Sequence, residues 1–172
     1  NANLVVSPKP VTITNNPIST TYDGVSTYAQ LMATAGYDHT ALVGSDTIGS
    51  VTQTASMSGT VVSGVAQAGN FTSTPSIAVL SHGDVNNYSF SYIASSSNAI
   101  AKADLAITAV ESLTGNTYKG SAYTGSYNMT ALGNDAASIV VTGVASGTNV
   151  GTYRSNLSAT GDVLANYNTP TI

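Results

Sequence analysis

The sequence predicts a mainly β protein built from two tandem small β-rich domains, and three observations carry this prediction. Runs rich in Ser, Thr, Val and Tyr alternate at period two and are separated by Gly- or Asn-containing turns, a pattern typical of strands. An ordered set of short motifs occurs twice. The 42% content of hydrophobic residues with a net charge of only −4 argues against disorder, which combines low hydrophobicity with high net charge.

The repeat rests on four matched motifs that follow one another in the same order in both halves. Their separations shorten along the chain, as expected if the first copy has longer loops. The matched pairs are Tyr22-Asp23-Gly24 with Tyr118-Lys119-Gly120, Gly44-Ser45-Asp46 with Gly133-Asn134-Asp135, Gly69-Asn70-Phe71 with Gly151-Thr152-Tyr153, and Asn87-Tyr88 with Asn166-Tyr167. We therefore predict a first repeat domain at residues 8–101 and a second at residues 102–172.

The ends of these repeats suggest a missing strand. Residues 1–7 contain the apolar run 3–6, which is similar to the end of the first repeat, so we interpret them as the last strand of a preceding repeat or as a linker. The second repeat has no counterpart of residues 97–100 and is expected to lack its final strand. We hypothesise that the run 3–6 fills this open edge, within the chain or between neighbouring chains.

Within the first repeat, residues 11–14 alternate as a first strand and lead to the Tyr22 motif, where Tyr is expected to anchor the core and Gly24 to form a turn. Residues 27–37 are rich in helix formers and end near Gly36, a candidate C-cap, so they predict a short crossover helix or an irregular crossover. Residues 50–62, 70–80 and 88–94 predict successive antiparallel strands.

The second repeat predicts strands at residues 105–108, 138–142 and 152–159, and from residue 167 onward. Two architectures fit this order: a β-grasp-like domain with a short crossover helix, which the segment 27–37 favours, and an Ig-like β-sandwich. The motif residues are expected to serve the fold, and they are Tyr22, Gly24, Asp46, Gly69, Tyr88, Tyr118, Gly120, Asp135, Gly151 and Tyr167.

Composition argues against several classes of function. With four Lys and Arg against eight Asp and Glu, the chain has no basic stripe for nucleic acid or an anionic membrane, and it has no long apolar run for membrane insertion. The absence of cysteine excludes thiol catalysis and cysteine-based zinc sites. The acids are scattered rather than paired, so we expect no catalytic residue, no metal and no cofactor.

Individual polar residues are expected to have structural roles. His39 and His82 stand beside turn residues without further ligands, which is typical of solvated loop histidines. Asp46 and Asp135 are expected to accept backbone N–H bonds in turns. Because Lys119 takes the place of Asp23 in the second copy, an aspartate there is not expected to be required by the fold.

Tyrosines outside the matched motifs are the candidates for recognition, because a tyrosine ring offers a flat apolar face with a hydroxyl that suits sugars and protein epitopes. A ligand patch would be drawn from Tyr28, Tyr37, Tyr92, Tyr123 and Tyr127.

Taken together, the duplicated motifs resemble the MBG and YDG-type repeats of large bacterial surface adhesins, including two-partner-secretion exoproteins related to filamentous haemagglutinin. The resemblance implies a non-enzymatic, secreted protein at the bacterial cell surface, whose repeats form a stalk for cell adhesion and biofilm attachment. Its partners would be neighbouring repeat domains and, through the parent adhesin, surface glycans or proteins. Two alternatives are a glycan- or protein-binding role of the repeats themselves and an accessory carbohydrate-binding domain of an enzyme.

Overall fold

The computed structural model describes residues 2–57, 64–110 and 115–172. The described residues are mainly β, as predicted, with 45% in strands and 12% in helices. The strands of the described residues are β1 (Lys9–Asn15), β2 (Ser19–Thr21), β3 (Tyr37–His39), β4 (Thr47–Met57), β5 (Gly69–His82), β6 (Tyr88–Ile93), β7 (Ser95–Ala101), β8 (Ile107–Val110), β9 (Tyr123–Thr124), β10 (Ser126–Met129), β11 (Val140–Thr142), β12 (Ser146–Gly147) and β13 (Ser158–Thr160).

The chain folds into two compact units whose segments interleave along the sequence. Unit 1 comprises Asn1–Thr20, Thr27–Thr60 and Asn70–Ile100, and unit 2 comprises Thr21–Ser26, Val61–Gly69 and Ala101–Ile172. The sequence repeats and the compact units are therefore different divisions of the chain, because the Tyr22 motif of the first repeat belongs to unit 2. The boundaries 1–7, 8–101 and 102–172 stay a prediction about the repeats.

Unit 1 contains a three-stranded sheet in the order β3-β1-β6 and a sheet in the order β2-β7-β5-β4. Its core is built from Val11, Ile13, Ala78 and Tyr88. The period-two pattern of β1 places Val11 and Ile13 on the buried face, as predicted. Strands β4 and β5 pair antiparallel, as predicted, whereas β6, which was predicted to continue that succession, pairs in parallel with β1.

The predicted crossover is a helix, α1 (Tyr28–Ala35). It begins at a capping box in which Thr27 and Gln30 satisfy each other's backbone N–H groups, and it ends at Gly36, whose φ of 69° favours glycine. Met32 is its buried residue, and Tyr28 packs edge-on against the buried Phe71 at a ring distance of 5.0 Å. Local capping signals thus fix both ends of this element.

Unit 2 contains three two-stranded ribbons, β10-β8, β11-β13 and β12-β9. Its buried side chains include Leu105, Ile107, Ile139 and Val163. The strand predicted at residues 105–108 begins at Ile107, and the strand predicted from residue 167 is reduced to two parallel bridges, Ala103 with Tyr167 and Ala106 with Thr171.

Two other predicted strands differ in extent. Residues 3–6 pair with no described strand and are exposed, so the proposed pairing within the chain is not observed, whereas pairing between neighbouring chains stays a prediction. The strand predicted at residues 50–62 corresponds to β4, and its last part lies outside the described residues. The segment 152–159 is mostly irregular and contributes only the start of β13.

Candidate functional site

A tight turn at residues 43–46, which we name the first Asp turn, is held by one tyrosine. Gly44 has a φ of 58°, and the N–H of Asp46 donates to the carbonyl of Val43 at 3.1 Å. The Tyr88 hydroxyl accepts a bond from the N–H of Val43 at 3.0 Å and donates to Oδ2 of Asp46 at 2.6 Å. A single hydroxyl therefore joins both ends of the turn to strand β6.

The same arrangement recurs at residues 132–135, the second Asp turn. Gly133 has a φ of 52°, and the N–H of Asp135 donates to the carbonyl of Leu132 at 3.0 Å. The Tyr167 hydroxyl accepts from the N–H of Leu132 at 2.8 Å and donates to Oδ2 of Asp135 at 2.7 Å. Both aspartates bind tyrosine hydroxyls, which corrects the expectation that they accept backbone N–H bonds.

Unit 2 adds a second tyrosine to its Asp turn. The Tyr22 hydroxyl also donates to Oδ2 of Asp135, at 2.8 Å, and the Tyr22 and Tyr167 rings meet edge-to-face with centroids 5.6 Å apart. Gly24 is buried, and a Cβ placed on it would lie 2.8 Å from the carbonyl carbon of Leu132. Residues 22–24, the first Tyr loop, therefore pack directly on the second Asp turn, and only glycine fits there.

The central residue of the first Tyr loop is also structural. Oδ1 of Asp23 accepts the N–H bonds of Val25 and Ser26 at 2.9 and 2.8 Å, which closes the loop. Desolvation acts to raise the pKa of Asp23, but these hydrogen bonds outweigh it and lower the pKa below its ordinary value. These bonds give Asp23 a role in the loop, and the expectation that the fold does not require this aspartate, based on Lys119 in the second copy, stays a prediction.

Burial changes the acidity of the clustered tyrosines. It raises the pKa of Tyr167 to about 12, with the nearby Asp135 carboxylate adding to the effect. Burial and the same carboxylate raise the pKa of Tyr22 well above its ordinary value. The hydrogen bond to Asp46 raises the pKa of Tyr88. These hydroxyls thus remain protonated donors throughout the neutral range, which suits a structural role.

The second Tyr loop, residues 118–120, differs sharply from the first. Tyr118 is 64% exposed, so its prediction as a core anchor is wrong. Gly120 has a φ of 75°, close to the 73° of Gly24, but a Cβ placed on Gly120 would meet nothing within 4 Å. Among the described residues, no hydrogen bond or ring contact involves Tyr118. The physical reason is that the first copy is buried by an Asp turn of the following repeat rather than by its own repeat.

A cavity of about 380 Å³ lies in unit 2 beside this loop, and it is lined by residues 115–118, 123–125 and 145–153. The Tyr123 hydroxyl donates to the carbonyl of Thr117 at 2.8 Å, and the Tyr153 hydroxyl donates to the carbonyl of Asn149 at 3.1 Å. Nζ of Lys119 lies 4.0 Å from the centre of the Tyr123 ring. The cavity thus offers aromatic faces together with amide and hydroxyl groups.

The cavity exists where the two repeats differ in packing. Phe71, the counterpart of Tyr153, is 4% exposed because Tyr28 of α1 covers it, whereas Tyr153 is 44% exposed. Gly151 lines the cavity beside Tyr153, whereas its counterpart Gly69 opens strand β5 with a φ of 134°. Tyr153 was not among the residues predicted to bind a ligand. The available signal was that Tyr153 occupies in the second repeat the position that Phe71 occupies in the first.

The structure distributes the five tyrosines of the predicted ligand patch over both units. Tyr28, Tyr37 and Tyr92 belong to unit 1, where Tyr37 packs against the core and the Tyr92 hydroxyl accepts the N–H of Ala78 at 2.9 Å. Tyr123 and Tyr127 belong to unit 2, and of the five Tyr123 lines the cavity. Their role in ligand binding stays a prediction.

Buried asparagines form a further set of polar contacts. The side chain of Asn98 accepts the N–H of Ile18 and donates to the carbonyls of Phe71 and Ser95. Asn166 accepts the N–H of Ala68 at 2.9 Å. The side-chain amide of Asn15, only 2% exposed, has no partner among the described groups.

The two histidines are surface residues of unit 1. His82 lies 3.6 Å from Oδ1 of Asp46 with its side chain 67% exposed, and His39 is an exposed residue of β3. The described residues contain no group of three or more His, Cys, Asp or Glu side chains that could hold a metal, and none of their helices is long and apolar enough to cross a membrane.

Comparison of the chain with protein-family models, curated proteins and solved structures finds no match.

Proposed function

We propose that the chain belongs to an extracellular bacterial adhesin, in which tandem repeats form a stalk that holds a distal binding region away from the cell. The observation that carries this proposal is the recurrence of one contact in both units: a tyrosine hydroxyl bridging a backbone N–H and the aspartate of a Gly-x-Asp turn. Duplication of a sequence motif together with its hydrogen bonds supports repetition of one folding unit.

Each repeat is proposed to be β-grasp-like, with the Ig-like sandwich as the alternative. In support, each repeat has a parallel pairing between a segment near its start and its bridging tyrosine. Strand β1 pairs with β6, which begins at Tyr88, and Ala103 forms an isolated parallel bridge with Tyr167. A purely antiparallel sandwich does not require such a pair. The short crossover helix α1 is a second feature that favours the β-grasp arrangement.

A mechanical role also agrees with how the acidic groups are used. The carboxylates of Asp46 and Asp135 are engaged by tyrosine hydroxyls whose own pKa values are raised, and Asp23 closes a loop. Because only 7% of the residues are charged, few other ionised side chains are present that could act as catalytic groups. These aspartates contribute to folding stability instead.

A spacer can be replaced by another spacer, and this property tests the proposal. In the parent protein, the chain is exchanged for unrelated folded domains of matched length, and it is deleted outright in a second variant. We expect the exchange to preserve adhesion of cells to a surface and the deletion to reduce it. Loss of adhesion in the exchanged variant, with surface display intact, would show that the repeats themselves bind.

The cavity of unit 2 supports a second candidate function, which is recognition of a glycan. Its volume of about 380 Å³ lies within the range of small-ligand sites, and its Tyr118, Tyr123 and Tyr153 side chains are suited to stacking on sugar rings. The backbone lining adds hydrogen-bonding groups.

A glycan array with the intact chain tests this second candidate. Saturable binding that is lost in Tyr153→Ala and retained in Tyr127→Ala would support it, because Tyr127 is a partly exposed tyrosine that does not line the cavity. Absence of binding to every glycan on the array would leave the stalk as the function that the structure supports.

A further inference from the structure

In unit 1, an early strand and a late strand lie side by side and run in the same direction. Strand β1 pairs with β6 in parallel over six consecutive residue pairs, which begin with Lys9 and Tyr88. The side chains of Thr12 and Ser91 add a hydrogen bond of 3.0 Å between the two strands. Strand β3 pairs with the other edge of β1. The early strand is therefore held by hydrogen bonds along both of its edges.

Unit 2 repeats this parallel pairing on a shorter scale. Ala103 bridges to Tyr167 and Ala106 bridges to Thr171, and both bridges are parallel. Backbone hydrogen bonds of 2.8 to 3.0 Å connect residues 103–107 with residues 166–171. Each unit therefore joins an early segment of its repeat to a late segment by strands that run in the same direction.

In both units the late segment carries the tyrosine that holds an Asp turn. Tyr88 is the first residue of β6 and is 7% exposed, and its hydroxyl donates to Asp46. Tyr167 forms the first of the two bridges and is 2% exposed, and its hydroxyl donates to Asp135. Such a side chain resists sliding of its strand, because sliding would draw a buried ring from its site and break its hydrogen bond.

The direction of a pull decides how the hydrogen bonds between parallel strands are loaded. If force is applied before β1 and after β6, the two strands are pulled in opposite directions along their own axes. The evenly spaced hydrogen bonds between them then bear the load together. If force is applied at the starts of both strands, the strands peel apart and the bonds break one after another. The same bonds therefore resist the first pull far better than the second.

From this geometry we propose a further function of the chain, which is to resist force through two shear clamps. The first clamp is the pairing of β1 with β6, and the second is the pairing of residues 103–107 with residues 166–171. That force acts along the chain rests on the proposed stalk role, because a stalk is pulled at its two ends when adhesion is loaded. The resistance itself is a property of the fold.

Optical-tweezers measurements on the intact chain test the first clamp. The chain contains no cysteine, so pairs of cysteines introduced at exposed positions attach DNA handles at defined points. Lys9→Cys with Ala94→Cys shears the clamp, whereas Lys9→Cys with Asn87→Cys peels it from the starts of both strands. We expect a severalfold higher rupture force for the first pair at the same loading rate, because forced unfolding depends on the barrier along the pulled direction.

The second clamp allows the same comparison. Lys102→Cys with Ile172→Cys shears this pairing, whereas Lys102→Cys with Ala165→Cys peels it. The shear force should again exceed the peeling force. It should be lower than the shear force of the first clamp, because the second pairing consists of two bridges instead of six consecutive residue pairs.

A tyrosine variant separates mechanical resistance from general stability. With the shear handles of the first clamp in place, Tyr88→Phe should lower the rupture force, because it releases β6 from the first Asp turn. Met32→Ala is the matched control, since Met32 is a buried residue of α1 and belongs to neither strand of the clamp. Met32→Ala should lower the melting temperature and leave the rupture force unchanged.

Equal rupture forces for the shear and peel handles would overturn the proposal for the clamp concerned. Rupture forces that follow the melting temperatures of Tyr88→Phe and Met32→Ala, whatever their place in the fold, would overturn the role of the tyrosine. Melting curves of the cysteine variants verify the fold before pulling, and the exposed Ser7 provides a second handle position before β1.

The clamps and the stalk fail in different experiments. Loss of adhesion when the chain is exchanged for unrelated domains would remove the stalk role and leave the rupture forces as they are. Equal shear and peel forces would remove the clamps and leave the result of the exchange unaffected.

Discussion

The hydroxyl of Tyr22 donates a hydrogen bond to the carboxylate of Asp135 at 2.8 Å, across a sequence separation of 113 residues. The bond is buried, and it joins the first Tyr loop to the second Asp turn. Tyr22 is 4% exposed whereas its sequence counterpart Tyr118 is 64% exposed. Equivalent positions in the repeat therefore have different environments, and this difference yields matched tests.

The first prediction compares these two tyrosines. Tyr22→Ala should lower the free energy of unfolding by about 3–5 kcal/mol, because it removes a buried aromatic ring. Tyr22→Phe should cost about 1–3 kcal/mol through the lost hydrogen bond to a carboxylate. Urea titration at low protein concentration measures both. Tyr118→Ala, an exposed position, should stay within about 0.5 kcal/mol of wild type, and a loss comparable to that of Tyr22→Ala would contradict the assigned packing.

A second prediction compares two glycines with nearly equal backbone angles. Gly24→Ala and Gly120→Ala both place a Cβ at positive φ, which costs about 1 kcal/mol. Gly24→Ala adds a collision with the Leu132 backbone, because the new Cβ would lie 2.8 Å from its carbonyl carbon. We therefore expect a clearly larger drop in melting temperature for Gly24→Ala. Equal drops would mean that the first Tyr loop does not pack closely on the second Asp turn.

The third prediction concerns alkaline pH. The pKa of Tyr167 is raised from 10.0 to about 12 in the folded chain, so the unfolded chain loses its proton first as pH rises. The stabilising contribution is complete below pH 10 and disappears between pH 10 and about 12, at up to about 1.4 kcal/mol per pH unit for each such tyrosine.

Urea midpoints measured from pH 8 to pH 12 would record this loss, with Tyr167→Phe as the comparison. The variant should start from a lower stability at neutral pH and fall less steeply above pH 10. A wild-type stability that stays flat to pH 12 would show that these hydroxyls are not held as protonated donors.

The fourth prediction compares two buried asparagines of unit 1. The Asn15 amide has no partner among the described groups, so Asn15→Leu removes a polar group that carries a desolvation cost and should stabilise the chain by about 1–3 kcal/mol. Asn98 accepts from Ile18 and donates to Phe71, Ser73 and Ser95. Asn98→Leu should therefore destabilise the chain by several kcal/mol. Thermal unfolding of both variants tests the contrast, and a stabilising Asn98→Leu would refute the assigned bonds.

Local elements of this fold could be predicted from the sequence because their determinants lie within a few residues. Gln30 and Gly36 mark the ends of α1, and the alternation of Val11 and Ile13 marks the buried face of β1. The environments of Tyr22 and Tyr118 could not be distinguished, since each depends on whether an Asp turn far along the chain lies against it. A pattern records the residue type, whereas burial is decided by tertiary contacts.

The candidate site shows the same limit. The motif glycines other than Gly151 have positive φ values, which restrict the residue type and make these positions recognisable in the sequence. The bonds of Asp46 and Asp135 to tyrosine hydroxyls, in contrast, required the folded arrangement. The cavity beside Tyr153 also escaped the sequence, because it arises from the lack of a covering residue such as Tyr28. The absence of a covering side chain produces no periodic pattern in the sequence.

The interleaving of the two units has a consequence for the order in which the chain matures during biosynthesis. Tyr22 must wait for Asp135, which the ribosome adds 113 residues later, a delay of about 6–20 s at bacterial or slower rates of translation. Throughout that interval the first Tyr loop has no Asp turn to bury it. Unit 1 contains residues from both sides of this loop along the chain. Until Asp135 is made, Tyr22 and Gly24 lack the turn that buries them, so unit 2 cannot complete its packing before most of the chain has been translated.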